Sequence, residues 1–173
     1  AVEGLDDASG VVIGAAPDGP IAVTMNGATY MADLIGGQKT GLFFDQRPNH
    51  EFISRLSKGA RVLDVFSHVG GFGLAALANG ASSALAVDGS VPALELATQG
   101  AVAAGFGDKF STRKGDAFDV LTSLRAEGAQ FDLIVCDPPA FAPSRQALEA
   151  GLRAYERIAR LAAPLVAEDG ILG

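Results

Sequence analysis

The sequence predicts an α/β fold, a doubly wound parallel sheet with a small β appendage at its N-terminal side. Three observations predict it. From Ala60 onward, short apolar runs alternate with segments of helical length, the pattern of strand–helix–strand units joined by right-handed crossovers. The apolar run at 61–66 passes directly into a glycine-rich turn, Gly70-Gly71-Phe72-Gly73, that opens a helix. Upstream of both, Asn26-Gly27 stands between two β-prone runs, a strong signal for a two-residue hairpin.

Taken in order, 11–13 and 21–25 are β-prone, and 28–31 returns after the Asn26-Gly27 turn. Residues 1–40 are therefore expected to form a β-hairpin appendage and 41–173 the main domain. Gly36 to Pro48 reads as a glycine-punctuated loop leading to a helix through Phe52, Ile53 and Leu56. Strands are expected at 61–66, 84–87, 110–113 and 131–136, and helices at 71–79, from Ser90 to about 104, at 117–126 and at 146–166. Ser90 suits an N-cap and Pro92 a first turn, whereas Gly100 inside that helix costs about 1 kcal/mol relative to Ala. Ile171-Leu172-Gly173, after the turn-like Glu168-Asp169-Gly170, reads as a strand only begun. The chain is accordingly expected to be a piece of a longer protein, truncated at its C-terminus.

Composition narrows the function. The 173 residues are 49% hydrophobic and 19% charged, with no apolar stretch near the ~20 residues of a membrane span, so a cytoplasmic protein is expected. The lone Cys136 cannot close an internal disulfide, and two histidines offer no zinc cluster, so no metal is expected. A formal charge of −7 argues against holding nucleic acid by bulk electrostatics, although a local basic patch stays open. Arg153, Arg157 and Arg160 recur at helical spacing with Arg145 nearby; they make either a stripe for RNA phosphate or a solvated face paired with Glu149 and Glu156.

Four segments carry chemistry. In 62–73, backbone N–H groups at a strand-to-helix turn suit a nucleotide-like ligand at the carboxyl edge of the sheet, with Ser67, Gly70, Gly71 and Phe72 in contact. The plain alternative is a tight turn and nothing more, and the spacing is not Gly-x-Gly-x-x-Gly. Asp88, with Gly89 and Ser90, stands at the end of the next strand, where a carboxylate accepts from both ribose hydroxyls; otherwise it is a solvated loop residue. Asp116, before Ala117 and Phe118, either caps the following helix or accepts from an adenine amino group while Phe118 lies against the ring. Both roles are compatible, because a carboxylate has two oxygens. Asp137-Pro138-Pro139-Ala140-Phe141 follows a buried strand; its prolines remove donors and stiffen the edge, so that carbonyls and the Asp137 carboxylate can hold a planar base. A simple strand terminator is the alternative. His68 reads as a pocket-lining residue rather than a general base, and Cys136 as core rather than nucleophile.

These motifs, together with Thr40-Gly41-Leu42-Phe43-Phe44-Asp45-Gln46-Arg47, resemble those of the ribosomal RNA large-subunit methyltransferases that include the cytosine-5 enzymes. The resemblance runs from about Gly37 to Gly173. It implies a Rossmann-like class I methyltransferase sheet, S-adenosylmethionine as cofactor, and Phe43, Asp45, Gln46 and Arg47 closing the cofactor pocket. It further implies an RNA substrate held by Pro138, Pro139 and Phe141, with Asp137 as the catalytic residue and a homodimer left open. In that family an RNA-binding domain usually precedes the β appendage, and a cysteine-bearing strand follows the point where this chain stops.

Three functions compete at this level. The first is an RNA methyltransferase acting on cytosine C5, with guanine or adenine N-methylation as the alternative acceptor. The second, a nicotinamide-dependent oxidoreductase, requires a Gly-x-Gly-x-x-Gly turn that the sequence does not contain. The third is a non-catalytic cofactor- or RNA-binding fragment.

Overall fold

The computed structural model describes residues 11, 13–37, 41–142 and 144–173. Val12 of the run at 11–13, and Gln38, Lys39 and Thr40 of the loop, lie outside them. Strands β1 (Ile21–Met25) and β2 (Ala28–Ala32) pair antiparallel. Asn26 and Gly27 between them both take positive φ, 53° and 77°, as the favoured hairpin turn requires.

The rest alternates. In chain order come α1 (Arg47–Ser54), β3 (Arg61–Val65), α2 (Gly71–Ala78), β4 (Ser83–Asp88), α3 (Val91–Ala103) and β5 (Phe110–Lys114). They are followed by α4 (Ala117–Ala126), β6 (Phe131–Cys136), α5 (Leu148–Ala162) and β7 (Val166–Leu172). The sheet is five-stranded, parallel throughout, in the order β5-β4-β3-β6-β7. The chain moves outward from β3 to β5, then crosses back through α4 to the other side of β3. At this reversal the loops after β3 and β6 part, leaving a crevice at the carboxyl ends of the strands.

Alternation along β3 divides the core into two layers. Val62 faces α2, α3 and the hairpin, and Leu63 and Val65 face α4 and α5. The hairpin shares the first layer, with Met25, Ala28, Tyr30 and Ala32 all buried there. Among the described residues, no helix is long and apolar enough to cross a membrane.

Three expectations need correction. The helix expected to reach 166 ends at Ala162, because Pro164 lacks an N–H; a single 3-10 turn follows and Val166 already belongs to β7. Glu168-Asp169-Gly170 is not a turn before a strand but lies within β7. Asp169 there takes φ 62°, and the pairing with β6 slips between Phe131 and Leu133, as at a bulge. Phe66, expected as the end of a strand, is instead left-handed, with φ 65°.

Gly100 has a packing reason. A Cβ there would lie 2.9 Å from the Thr29 carbonyl oxygen and 3.1 Å from Leu74 Cδ1, so β2 docks on α3 with its main chain against the helix. Overpacking typically costs about 1–3 kcal/mol, which outweighs the up to about 1 kcal/mol that Ala gains in helix propensity. Gly100→Ala is therefore expected to destabilise the domain by about 1 kcal/mol or more in urea unfolding. A stabilised variant would mean that the hairpin is loosely docked.

Candidate functional site

The cavity in the crevice has a volume of about 770 Å³, within the usual range of ligand pockets. Its floor is the turn after β3. Phe66 (φ 65°), His68 (φ 49°) and Gly70 (φ 81°) all take positive φ, an arrangement costly for the two non-glycine residues and of the kind that clusters at functional sites. The turn is closed by the amides of Gly70 and Gly71, which donate to the Ser67 carbonyl at 2.8 and 3.2 Å.

Helix α2 starts on Gly70 with no side-chain cap of its own. Its first amides are met instead by Asp64, a fully buried residue of β3 whose Oδ2 accepts from Gly73 N–H at 2.8 Å and which also receives the Phe72 N–H. Burial lifts the Asp64 carboxyl to about 7 against these two hydrogen bonds, with the nearby Asp137 and Asp88 adding to the rise. Asp88 ties the same turn to the next strand: its Oδ2 accepts from His68 N–H and its Oδ1 from Ser90 N–H, both at 2.8 Å.

Twelve of the residues singled out in the sequence line the cavity: Phe43, Asp45, Gln46, Ser67, Gly71, Phe72, Asp88, Gly89, Ser90, Asp137, Pro138 and Pro139. His68 lines it too, edge-on to Phe43 at 5.1 Å between ring centroids. Six others stand elsewhere. Gly70 underlies the turn, where a Cβ would approach Ala97 and Leu74 at 3.2 Å. Arg47 begins α1 and binds the hairpin turn: Asn26 Nδ2 donates to its carbonyl at 2.7 Å. Asp116 caps α4, its Oδ1 accepting from Phe118 N–H at 2.9 Å and Asp119 N–H at 3.4 Å. Ala117 is buried beneath it.

Phe118 and Phe141 belong to an aromatic group beside the Asp137-Pro138-Pro139 edge. Phe141 lies 6.1 Å from Phe66, 6.0 Å from Phe118 and 4.9 Å from Tyr155, and the Arg157 guanidinium sits 4.5 Å over Phe118. The neighbouring arginines are paired along the helix, Arg153 with Glu149 at 3.7 Å and Arg160 with Glu156 at 2.6 Å. Such exposed pairs contribute little stability.

Among the cavity-wall residues that sequence reading missed are Asp33, Tyr30 and His50. Tyr30, fully buried on β2, donates from its hydroxyl to the Gly71 carbonyl at 3.1 Å, and burial pushes its pKa up. His50 is 6% exposed on α1, whereas Phe52, one of the apolar residues through which that helix is expected, is 63% exposed. The inward face carries buried His50 and Ser54 at i and i+4 beside a half-buried Ile53, and the two polar residues give no hydrophobic signal.

The wall is acidic. Asp33, Asp45, Asp88 and Asp137 line it, and no Lys or Arg does among the described residues. Burial and the facing Asp45 raise the pKa of Asp137. The buried side-chain atoms without a hydrogen-bond partner, among the described residues, are His50 Nδ1, Asp64 Oδ1 and Ser67 Oγ, and His50 and Ser67 line this cavity. A buried polar atom left unpaired costs about 1–3 kcal/mol, so their convergence marks a place built for a polar ligand.

A family profile described as S-adenosylmethionine-dependent methyltransferase matches residues 6–173. The chain belongs to that family. Among curated methyltransferases, it is 40% identical over 172 residues to ribosomal RNA large subunit methyltransferase I of Aeromonas salmonicida, covering 98% of this chain and 43% of the relative. The enzyme of the same name from Vibrio cholerae is 38% identical over 174 residues, covering 98% and 44%. The chain thus spans less than half the length of the curated relatives it matches. Among solved methyltransferase structures, one complexed with SAH superposes with a TM-score of 0.80 at 25% identity, over 93% of this chain and 43% of that one. The SAM-dependent methyltransferase from Agrobacterium tumefaciens gives 0.76 at 21% identity, over 91% and 52%, a likeness of fold.

Asp64 and His50 should make the stability of this methyltransferase domain unusually flat in acid. Folding raises Asp64 from 3.8 to about 7, so between these values the native state keeps a proton that the unfolded chain has lost, and stability falls as pH rises. Folding lowers His50 from 6.5 to about 4, chiefly by desolvation, so there the unfolded chain holds the extra proton and stability rises with pH. Between pH 4 and 6.5 the two slopes oppose, each up to about 1.4 kcal/mol per pH unit. Asp64→Asn should leave a steeper rise, and His50→Phe a decline, in urea unfolding across that window. Parallel profiles for all three proteins would show that neither residue is responsible.

Proposed function

We propose that this chain is the cofactor-binding part of an S-adenosylmethionine-dependent enzyme that methylates large-subunit ribosomal RNA at cytosine C5. The observation that carries the cofactor half is the charge of the cavity: four carboxylates in the wall and no Lys or Arg among the described lining residues. S-Adenosylmethionine presents a sulfonium and an ammonium, whereas a nicotinamide dinucleotide presents a pyrophosphate that this wall would repel. The unpaired polar atoms of His50 and Ser67 and the cavity volume fit a ligand of that size and polarity.

In this reading the oxygens of Asp88, already aligned by His68 and Ser90 amides, receive the ribose hydroxyls, with Gly89 and Ser90 beside them. Ser67, Gly71 and Phe72 bring the main chain against the ligand, and Phe43, Asp45 and Gln46 close over it. Both capping bonds of Asp116 fall on Oδ1, leaving Oδ2 for an adenine amino group, with Ala117 and Phe118 at its side. The bound cofactor supplies an electrophilic methyl group. Pro138 and Pro139, which have no N–H, present carbonyls beside Asp137, and these orient the acceptor base against that methyl with Phe141 anchoring the loop.

The RNA half of the proposal rests on the curated relatives' names and on the Asp137 edge. C5 is a weak nucleophile and needs a thiolate to add at C6. Cys136 is poorly suited to this: burial and the nearby Asp64 push its thiol up to about 12. A C5 reaction therefore draws its thiolate from a part of the protein outside these residues. The same observation favours guanine or adenine N-methylation if these residues suffice for activity, because a nitrogen lone pair needs orientation only.

Two measurements test this. Calorimetric titration should show S-adenosylhomocysteine binding and no binding of NAD, with Asp88→Ala weakening the former by about 1.5–3 kcal/mol, the loss of a charged acceptor. An unchanged affinity in Asp88→Ala would sink the ribose assignment. Incubated with ribosomal RNA and radiolabelled S-adenosylmethionine, this chain alone should transfer no label, whereas a version extended in both directions should. Transfer by the short chain would decide for the nitrogen acceptor.

A further inference from the structure

We infer that His50 is a ligand-binding residue whose imidazole N–H holds the carboxylate of the cofactor's amino-acid end. This rests on the proposed S-adenosylmethionine site and deepens it. Three observations on different elements meet at this side chain.

The first is position. The ring is packed into the wall between Tyr30, stacked at 6.3 Å, and Phe72, edge-on at 4.5 Å. It fills the space a Gly71 side chain would need: a Cβ on Gly71 would lie 2.7 Å from His50 Nε2. The glycine turn and the imidazole therefore form one continuous surface of the cavity. The second is unmet hydrogen bonding. His50 is 6% exposed, lines the cavity, and has an enclosed Nδ1 without a partner. A core histidine held for packing alone would normally have both nitrogens satisfied or be replaced by an apolar ring. The third is charge. With Asp88 taking the ribose at one side of the turn, the rest of the ligand runs past Gly71 toward Tyr30 and His50 at the other. The ammonium of an amino-acid end finds carboxylates throughout this wall, but its carboxylate finds no Lys or Arg among the described lining residues. It needs neutral donors, and His50 is one: burial keeps the ring neutral down to about pH 4, so it presents one N–H and no net charge.

A neutral donor suits this site better than a cation. A Lys or Arg here would sit among Asp45, Asp64 and Asp137 and pair with them, whereas an uncharged imidazole leaves those carboxylates to the sulfonium and ammonium.

The test compares S-adenosylhomocysteine with its decarboxylated analogue, 5′-(3-aminopropylthio)-5′-deoxyadenosine, which keeps the ammonium and lacks only the carboxylate. His50→Phe preserves the ring and removes both nitrogens; His50→Gln restores an N–H. By calorimetry, His50→Phe should weaken S-adenosylhomocysteine about tenfold or more, the scale of one hydrogen bond to a charged group, and leave the analogue's affinity unchanged. His50→Gln should recover part of the loss. Equal weakening of both ligands would assign His50 a packing role and overturn the inference, as would an unchanged affinity for S-adenosylhomocysteine. If His50→Phe does not fold, His50→Leu takes its place: it should weaken S-adenosylhomocysteine but not the analogue, and His50→Gln should bind S-adenosylhomocysteine more tightly than His50→Leu does. Failure of the unsubstituted chain to bind either ligand would instead refute the proposed cofactor site itself.

Discussion

Helix α2 is almost wholly buried and begins with amides that no residue of its own N-terminus can satisfy, and the carboxylate of Asp64 meets them from within the sheet. That contact fixes where α2 starts relative to β3, and hence how the intervening chain must turn. The positive φ values of Phe66, His68 and Gly70 follow from the short distance the turn has to span. Bringing a carboxylate into the core is unfavourable, as its raised pKa records, and the two amides offset only part of that cost.

From this turn the site extends in two directions. Asp88 and Ser90 continue it along the C-terminal edge toward β5, and Asp137 with its prolines continues it toward β7, the two flanks of the topological reversal. Tyr30 and His50 close it from outside the sheet. Tyr30 reaches the Gly71 carbonyl from the hairpin and Arg47 joins α1 to the hairpin turn, so hairpin, α1 and glycine turn are mutually braced. An isolated two-stranded hairpin is marginal in water; this one is ordered because its inner face completes the first core layer.

The sheet was legible because its signals are local. Apolar runs of strand length, Ser90 and Asp116 as helix caps, and Asn26-Gly27 as a hairpin turn each act within a few residues, and all four recur in the structure. The loop residues that meet in the cavity were legible because glycine and proline restrict the backbone in stated ways. What escaped depends on tertiary packing. His50 sits inward on a helix whose largest apolar residue, Phe52, points out, and hydrophobic periodicity cannot find a polar residue buried for what it faces. The strand β7 absorbed Glu168-Asp169-Gly170 because an irregularity in its pairing with β6 accommodates three extra residues that composition alone reads as a turn. Asp116 illustrates an intermediate case: the sequence offered two roles, and the geometry realises the cap while leaving one oxygen uncommitted.

The docking of β2 on α3 through Gly100 also bears on how such a protein changes over generations. The helix meets the Thr29 carbonyl and the Met31 amide, groups that every amino acid at those positions would present in the same place. The strand can therefore drift in sequence on its outward positions without altering its seat, while the constraint falls on a single distant residue that has no side chain. The hairpin's tolerance of variation is thus written into a helix.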